Sequence, residues 1–239
     1  FYGPGGFAEY KIHRSDGVFP VGNAPWDQAA LAEPLSCAIH AARLLDARLG
    51  DTAVVFGAGT MGLLNLMVLK KSGLRVAVVD VNENRLAKAT SLGADLVLQA
   101  GSDIRDRVKS AFLGGVDFSI AAYGSEEVNQ DALDVLNTRG KICLFASAHP
   151  VTPFAIDPNL MHNRETSAIG VVMVSSASLG AGASVRLPSG SLLANSSALG
   201  ALLPPLSSSL PRCPSRLKDA AARSRPPLPW GNSASRPTR

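Results

Sequence analysis

The chain has 239 residues, 46% of them hydrophobic and 18% charged, a balance that suits one large or two small globular domains. Its formal charge of +4 is unevenly placed: residues 1–174 hold 15 basic and 18 acidic side chains, whereas 175–239 hold 8 basic side chains and Asp219 alone. The first part lacks the basic, aromatic-interleaved stripe of a nucleic-acid binder, Cys37, Cys143 and Cys213 are too few and scattered for a disulfide framework, and no unbroken apolar run of about 18 residues suggests a membrane span. A reducing, cytoplasmic setting is expected, with neither nucleic acid nor membrane as a partner.

Residues 1–24 are glycine-rich, with Phe7–Ile12 reading as a strand and Asp16-Gly17 as a turn, as in the end of a β domain. Over 27–48, Leu31, Leu35, Ile39, Ala42 and Leu45 recur every three or four residues and predict a connecting helix, bent or interrupted at Pro34. From residue 51 strands and helices alternate. Strands are expected at about 52–56, 75–80, 95–98, 116–120, 139–145 and 166–173, and helices at about 60–72, 83–92, 103–112 and 125–137. Parallel strands need crossover connections, so this order predicts a doubly wound, six-stranded parallel sheet of order 3-2-1-4-5-6. The boundaries are 1–30 for the β remnant, 31–50 for the connecting helix, 51–174 for the α/β domain and 175–239 for the tail. The tail holds 15 serines and 9 of the 16 prolines and has no periodicity, a composition that predicts disorder. It reads as a linker, a basic interaction arm or an erroneous translated end, and the abrupt break in composition fits the last of these best.

The densest signal is Gly57-Ala-Gly59-Thr60-Met61-Gly62, entered from the apolar run Thr52–Phe56 and left through a helical pattern. In this setting Gly57 permits the tight turn, Gly59 admits a pyrophosphate close to the backbone, and Gly62 lets the helix pack on the strand. The phosphates would rest on the free amides of Thr60, Met61 and Gly62. Asp80 closes the second strand 18 residues after Gly62, near the spacing at which a carboxylate meets both ribose hydroxyls. This favours NAD over NADP, and Arg85 softens the preference. Ligands in such folds bind outside the carboxyl ends of the strands, which assigns Tyr123, Phe145 and Ala146 to the nicotinamide side.

Four segments taken in order, Gly5–Tyr10, Glu33–Ala41, Gly57–Gly62 and Leu92–Asp95, resemble the zinc-type medium-chain alcohol dehydrogenases over roughly residues 1–173. Glu33-Pro34-Leu35-Ser36 is most similar to their sorbitol and polyol branch. The resemblance implies a GroES-like catalytic domain beside a Rossmann domain, with zinc polarising an alcohol oxygen and a hydride passing to NAD. It also implies a homo-oligomer when the protein is complete. Cys37 matches the zinc-ligating cysteine of the alcohol branch, and Glu33 the glutamate near the metal in the polyol branch. The family's first zinc ligands, a cysteine and a Gly-His-Glu segment, have no counterpart in this sequence, so no catalytic residue is assigned. His40 matches a structural helix position, and Arg85 a basic residue beside the adenosine ribose. Tyr123 and Phe145 depart from the family's Thr-Gly and glycine-rich patterns, and so would crowd or reposition the nicotinamide. The expected activity is oxidation of a secondary alcohol or polyol with NAD. The alternatives are an inert NAD-binding fragment, a zinc-independent quinone reductase relative and, weakest, a binding module built on the basic tail.

Overall fold

The computed structural model describes residues 9–10, 12–13, 18–151 and 153–171. The Asp16-Gly17 turn, positions 172–173 of the sixth strand and the tail at 175–239 lie outside those residues. Of the strand expected over Phe7–Ile12, the described positions Glu9, Tyr10 and Ile12 are not in a strand, and Tyr10 and Ile12 are almost wholly exposed.

The expected connecting helix is two helices. A single turn, α1 (Trp26–Ala29), precedes α2 (Ala32–Leu45), and the break falls at Ala30–Leu31. Pro34 explains the position of the break and corrects the expectation of a bend at Pro34 itself. Proline has no N–H for the carbonyl of Ala30 and its ring would clash with it, yet it is tolerated in a first turn, where that N–H has no intrahelical partner. The helix therefore restarts with Pro34 in its opening turn. It ends at Leu45, where Asp46 turns left-handed (φ 57°).

The remaining chain alternates as β1 (Thr52–Phe56), α3 (Thr60–Lys71), β2 (Arg75–Asp80), α4 (Glu83–Ser91), β3 (Leu96–Gln99), α5 (Ile104–Ala111), β4 (Val116–Ala121), α6 (Glu126–Asp134), β5 (Leu136–Leu144), α7 (Pro158–Arg164) and β6 (Ser167–Gly170). All five strand pairs are parallel and the order is β3-β2-β1-β4-β5-β6, as expected from the sequence. The inner strands read as continuous apolar runs because helices cover both faces: Ala53–Phe56 and Val76–Val79 are all buried. Ala53 and Val55 face a core shared with α2, α3 and α4, while Val54 and Phe56 face one shared with α5 and α6. Helix α3 is nearly apolar all round for a related reason. Leu66 and Leu69 pack on the sheet, whereas Leu64 and Val68 meet Leu35, Ala38 and Ile39 of α2.

Two differences from the expected elements have identifiable causes. Strand β5 begins at Leu136 because that residue pairs with Val116, but the next pair is Phe118 with Lys141, so Asn137–Gly140 leave the ladder as a bulge with Arg139 left-handed (φ 65°). Helix α7 has no counterpart in the sequence reading. It is short, begins with Pro158 at its first position, and is capped by Asp157 accepting from the Asn159 amide at 2.8 Å.

Polar links hold the layers in register. Asp117 Oδ2 accepts from the Thr52 amide (2.8 Å) and hydroxyl (2.7 Å), and Thr52 Oγ1 accepts in turn from the Asp117 amide (3.1 Å), fixing β1 against β4. Lys141 Nζ donates to the Leu45 carbonyl at 2.8 Å and so ties the end of α2 to β5. Arg105 spans α5 and α6 through Asp131 (2.6 Å) and Asp134 (2.8 Å). Asp95 Oδ2 accepts from the Val76 amide and from Lys70 Nζ, both at 2.6 Å, joining β2, α3 and the approach to β3.

Burial alone would raise the Asp95 pKa, but the hydrogen bonds from Lys70 and Val76 outweigh it and the net shift is downward from the ordinary 3.8. A carboxyl whose pKa is lower folded than unfolded stabilises the fold above its unfolded value and loses that contribution as pH falls through the folded one. Urea melts of wild type and Asp95→Asn are therefore expected to differ most at pH 7 and to converge below pH 3.8.

Candidate functional site: a glycine cradle and a buried carboxylate

Strand β1 leads at Phe56 into Gly57, Ala58 and Gly59, and α3 begins at Thr60. Gly57 has φ 103°, a conformation that L side chains rarely adopt, and its N–H donates to the Val79 carbonyl at 2.7 Å. At Gly62 a side chain is excluded by packing: an added Cβ would fall on the Gly57 carbonyl. Gly59 is different. Its backbone (φ −71°) suits any residue, and an added Cβ would meet no protein atom within 4 Å. Neither conformation nor protein packing calls for glycine at 59; the open space suits a close approach by something outside the chain. Helix α3 also starts without a side-chain cap. Its first-turn amides are thus available to an anion, and the aligned peptide dipoles favour negative charge at that end.

Asp80 ends β2 beside this cradle with its side chain only 5% exposed. Its Oδ2 accepts from the Ala58 amide at 2.6 Å and its Oδ1 from the Asn82 amide at 2.8 Å. Arg85 Nη1 lies 3.8 Å from Oδ2, close enough for an ion pair but not a hydrogen bond. Asn82 was not singled out in the sequence. It caps α4 by accepting from the Arg85 amide at 3.2 Å, and the signal was available: an asparagine between a strand end and a helical run.

The chain order reverses between β1 and β4, the crevice in which open α/β sheets bind ligands. At its rim Tyr123 is 64% exposed, its Cβ 3.5 Å from where a Gly57 Cβ would lie. The segment that follows is held backbone to backbone, since a Cβ on Gly124 would overlap Ser147. Phe145 is half-buried and packs on the core beneath α2, and the Phe145 and Ala146 amides both donate to the Ala121 carbonyl (3.2 and 3.0 Å). Tyr123 is thus the more open of the two aromatic residues at these strand ends.

Glu33 and Cys37 share one face of α2, with Cys37 Sγ 3.5 Å from Glu33 Oε1. Burial, then the negative charge and hydrogen bonding of Glu33, push the Cys37 thiol up to about 11, so in the chain as it stands this sulfur is a thiol and not a thiolate at neutral pH. Cys143 is buried in the core, and burial pushes its pKa up to about 12. Among the described residues no three His, Cys, Asp or Glu side chains come together to hold a metal. Glu33 and Cys37 offer two donors where a catalytic zinc usually takes three from protein, so the described residues do not by themselves make a zinc site.

Residues 60–184 match the family model described as zinc-binding dehydrogenase. The chain belongs to that family. Among curated relatives, D-altritol 5-dehydrogenase of Agrobacterium fabrum is 32% identical over 173 residues, covering 70% of this chain and 49% of the relative. Sorbitol dehydrogenase of Arabidopsis thaliana is 29% identical over 175 residues, covering 70% of this chain and 48% of the relative. The chain thus spans about half the length of the curated relatives it matches. The solved NADH complex of an alcohol dehydrogenase from Escherichia coli CFT073 shares the fold, with TM-score 0.66 at 22% identity, over 74% of this chain and 52% of that one.

The two glycines differ in what an added side chain would meet. Gly62→Ala is expected to lower unfolding free energy by about 3 kcal/mol, the upper range for overpacking, because the opposing atom is backbone. Gly59→Ala is expected to stay within about 1 kcal/mol of wild type. Chemical denaturation of both variants checks the contrast.

Proposed function

We propose that this chain supplies the NAD-binding half of a dehydrogenase that oxidises a secondary alcohol of the polyol class. One observation carries the reading: an open, unsubstituted Gly59 beside the uncapped start of α3, with the buried Asp80 carboxylate at the adjoining strand end. The names of the polyol-oxidising relatives support the substrate class.

In this reading Gly57, Gly59 and Gly62 shape the loop, and the amides of Thr60, Met61 and Gly62 hold the pyrophosphate. Asp80 accepts from the adenosine ribose hydroxyls with Arg85 alongside. Tyr123, Phe145 and Ala146 border the nicotinamide half. When bound, NAD supplies the hydride acceptor, and the protein's part is alignment. The carboxylate at Asp80 disfavours a 2′-phosphate by charge repulsion, which selects NAD against NADP.

For the metal expected in this family, Glu33 or Cys37 would be one donor, with the others outside the described residues. We further propose a homo-oligomer for the complete protein. A reducing, cytoplasmic compartment suits Cys37 and Cys143, both free thiols. Among the described residues no helix is long and apolar enough to cross a membrane.

A second reading, an NAD-binding module without catalysis, is favoured by the lack of a three-donor group among the described residues. Stoichiometric zinc together with polyol turnover by the 239-residue chain would exclude it. For the cofactor itself, calorimetry on folded chain is expected to give heat with NADH and at least about tenfold weaker binding of NADPH. Gly59→Ala should lose the NADH signal while keeping its fold. Absence of any heat with NADH from the wild-type chain would overturn the reading.

A further inference from the structure

The Asp80 carboxylate is engaged by the chain's own backbone. We propose that Asp80 is a positioning residue for the phosphate cradle as well as a reader of the ribose, its carboxylate pinning the glycine loop to the turn between β2 and α4. This inference rests on the cofactor reading above and gives Asp80 a task that the ribose contact alone does not require.

The geometry is specific. Ala58 is 1% exposed, so its amide has no water to turn to, and the acceptor for that amide is Asp80 Oδ2 at 2.6 Å. Ala58 lies between Gly57, whose amide is already held by the Val79 carbonyl, and Gly59, which immediately precedes α3. The bond from Ala58 therefore sets the path of the chain into the helix whose amides face the anion. The other carboxylate oxygen holds the Asn82 amide at 2.8 Å, and Asn82 in turn caps α4. One side chain thus joins the starts of two helices. Each carboxylate oxygen accepts more than one hydrogen bond, so the two backbone bonds leave capacity for vicinal hydroxyls.

A consequence follows for cofactor choice. Replacing Asp80 to admit a 2′-phosphate also strands the buried Ala58 N–H, and a buried donor without a partner is costly. Such a variant loses affinity for both dinucleotides, and repulsion relieved at the ribose does not restore the cradle.

A ligand without ribose hydroxyls separates the two tasks. Calorimetry on the full chain, wild type and Asp80→Ala, is run with ADP and with 2′,3′-dideoxy-ADP. Pinning predicts that Asp80→Ala weakens both ligands, the dideoxy compound by about tenfold, because the loop amide is released whichever ligand is offered. An unchanged affinity for the dideoxy compound beside a weakened ADP would mean that Asp80 acts through the hydroxyls alone, and would overturn the proposal. Amide hydrogen exchange decides the same point without ligand: in wild type the Ala58 and Asn82 amides should be protected, and in the near-isosteric Asp80→Asn, which keeps one acceptor oxygen and turns the other into a donor, at least one of the two should exchange about tenfold faster. Unprotected amides in wild type, or unchanged rates at both amides in Asp80→Asn, would also overturn it. A wild-type chain that binds neither NADH nor ADP sinks the cofactor reading, while the exchange rates still decide the role of Asp80.

Discussion

The approach of α3 to the loop that precedes it is the constraint on which the rest of the site depends. The helix can start directly over the Gly57 carbonyl because residue 62 has no side chain. That contact brings the amide-bearing end of α3 to the mouth of the β1–β4 crevice and sets the turn in which Gly57 takes a positive φ. The same helix is wedged between the sheet and α2, with Leu66 and Leu69 on one side and Leu64 and Val68 on the other. The position of α2, and of Glu33 and Cys37 on it, therefore follows from how closely α3 sits on the strand beneath.

Two kinds of polar contact complete this arrangement. At the carboxyl ends of the strands, Asp80 organises backbone amides and leaves the space above Gly59 open. At the opposite ends, Thr52 with Asp117 locks β1 against β4, and Asp95, which accepts from the Val76 amide and from Lys70 of α3, locks β2 against the approach to β3. Register matters because a parallel strand slipped by one residue would exchange the faces of Val54 and Val55 and bring neither core together.

Much of this was legible in the sequence because the signals were local and periodic. The apolar runs at 52–56 and 75–80, the helical stretch between them and the glycine spacing specified strand, turn and helix without reference to distant residues, and they carried the sheet order with them. What was not legible depended on tertiary pairing. Nothing in Leu136–Gly140 announces that Leu136 joins β4 while the next four residues loop out, since that is decided by Val116 on another strand. Pro34 was visible, but its effect falls four residues earlier, at the carbonyl it cannot serve. In the candidate site the glycines and Asp80 were legible by spacing. The bond from Ala58 to Asp80 was not, because an alanine amide carries no side-chain signature.

The break at Ala30–Leu31 has a mechanical consequence. Beyond it, α2 is gripped along its length by α3 and fastened at its far end by Lys141, so it moves with the sheet as one piece. Before it, α1 is a single turn with no buried residue. Glu33, two residues past the break, is therefore held in place by the packing of α2 rather than by α1.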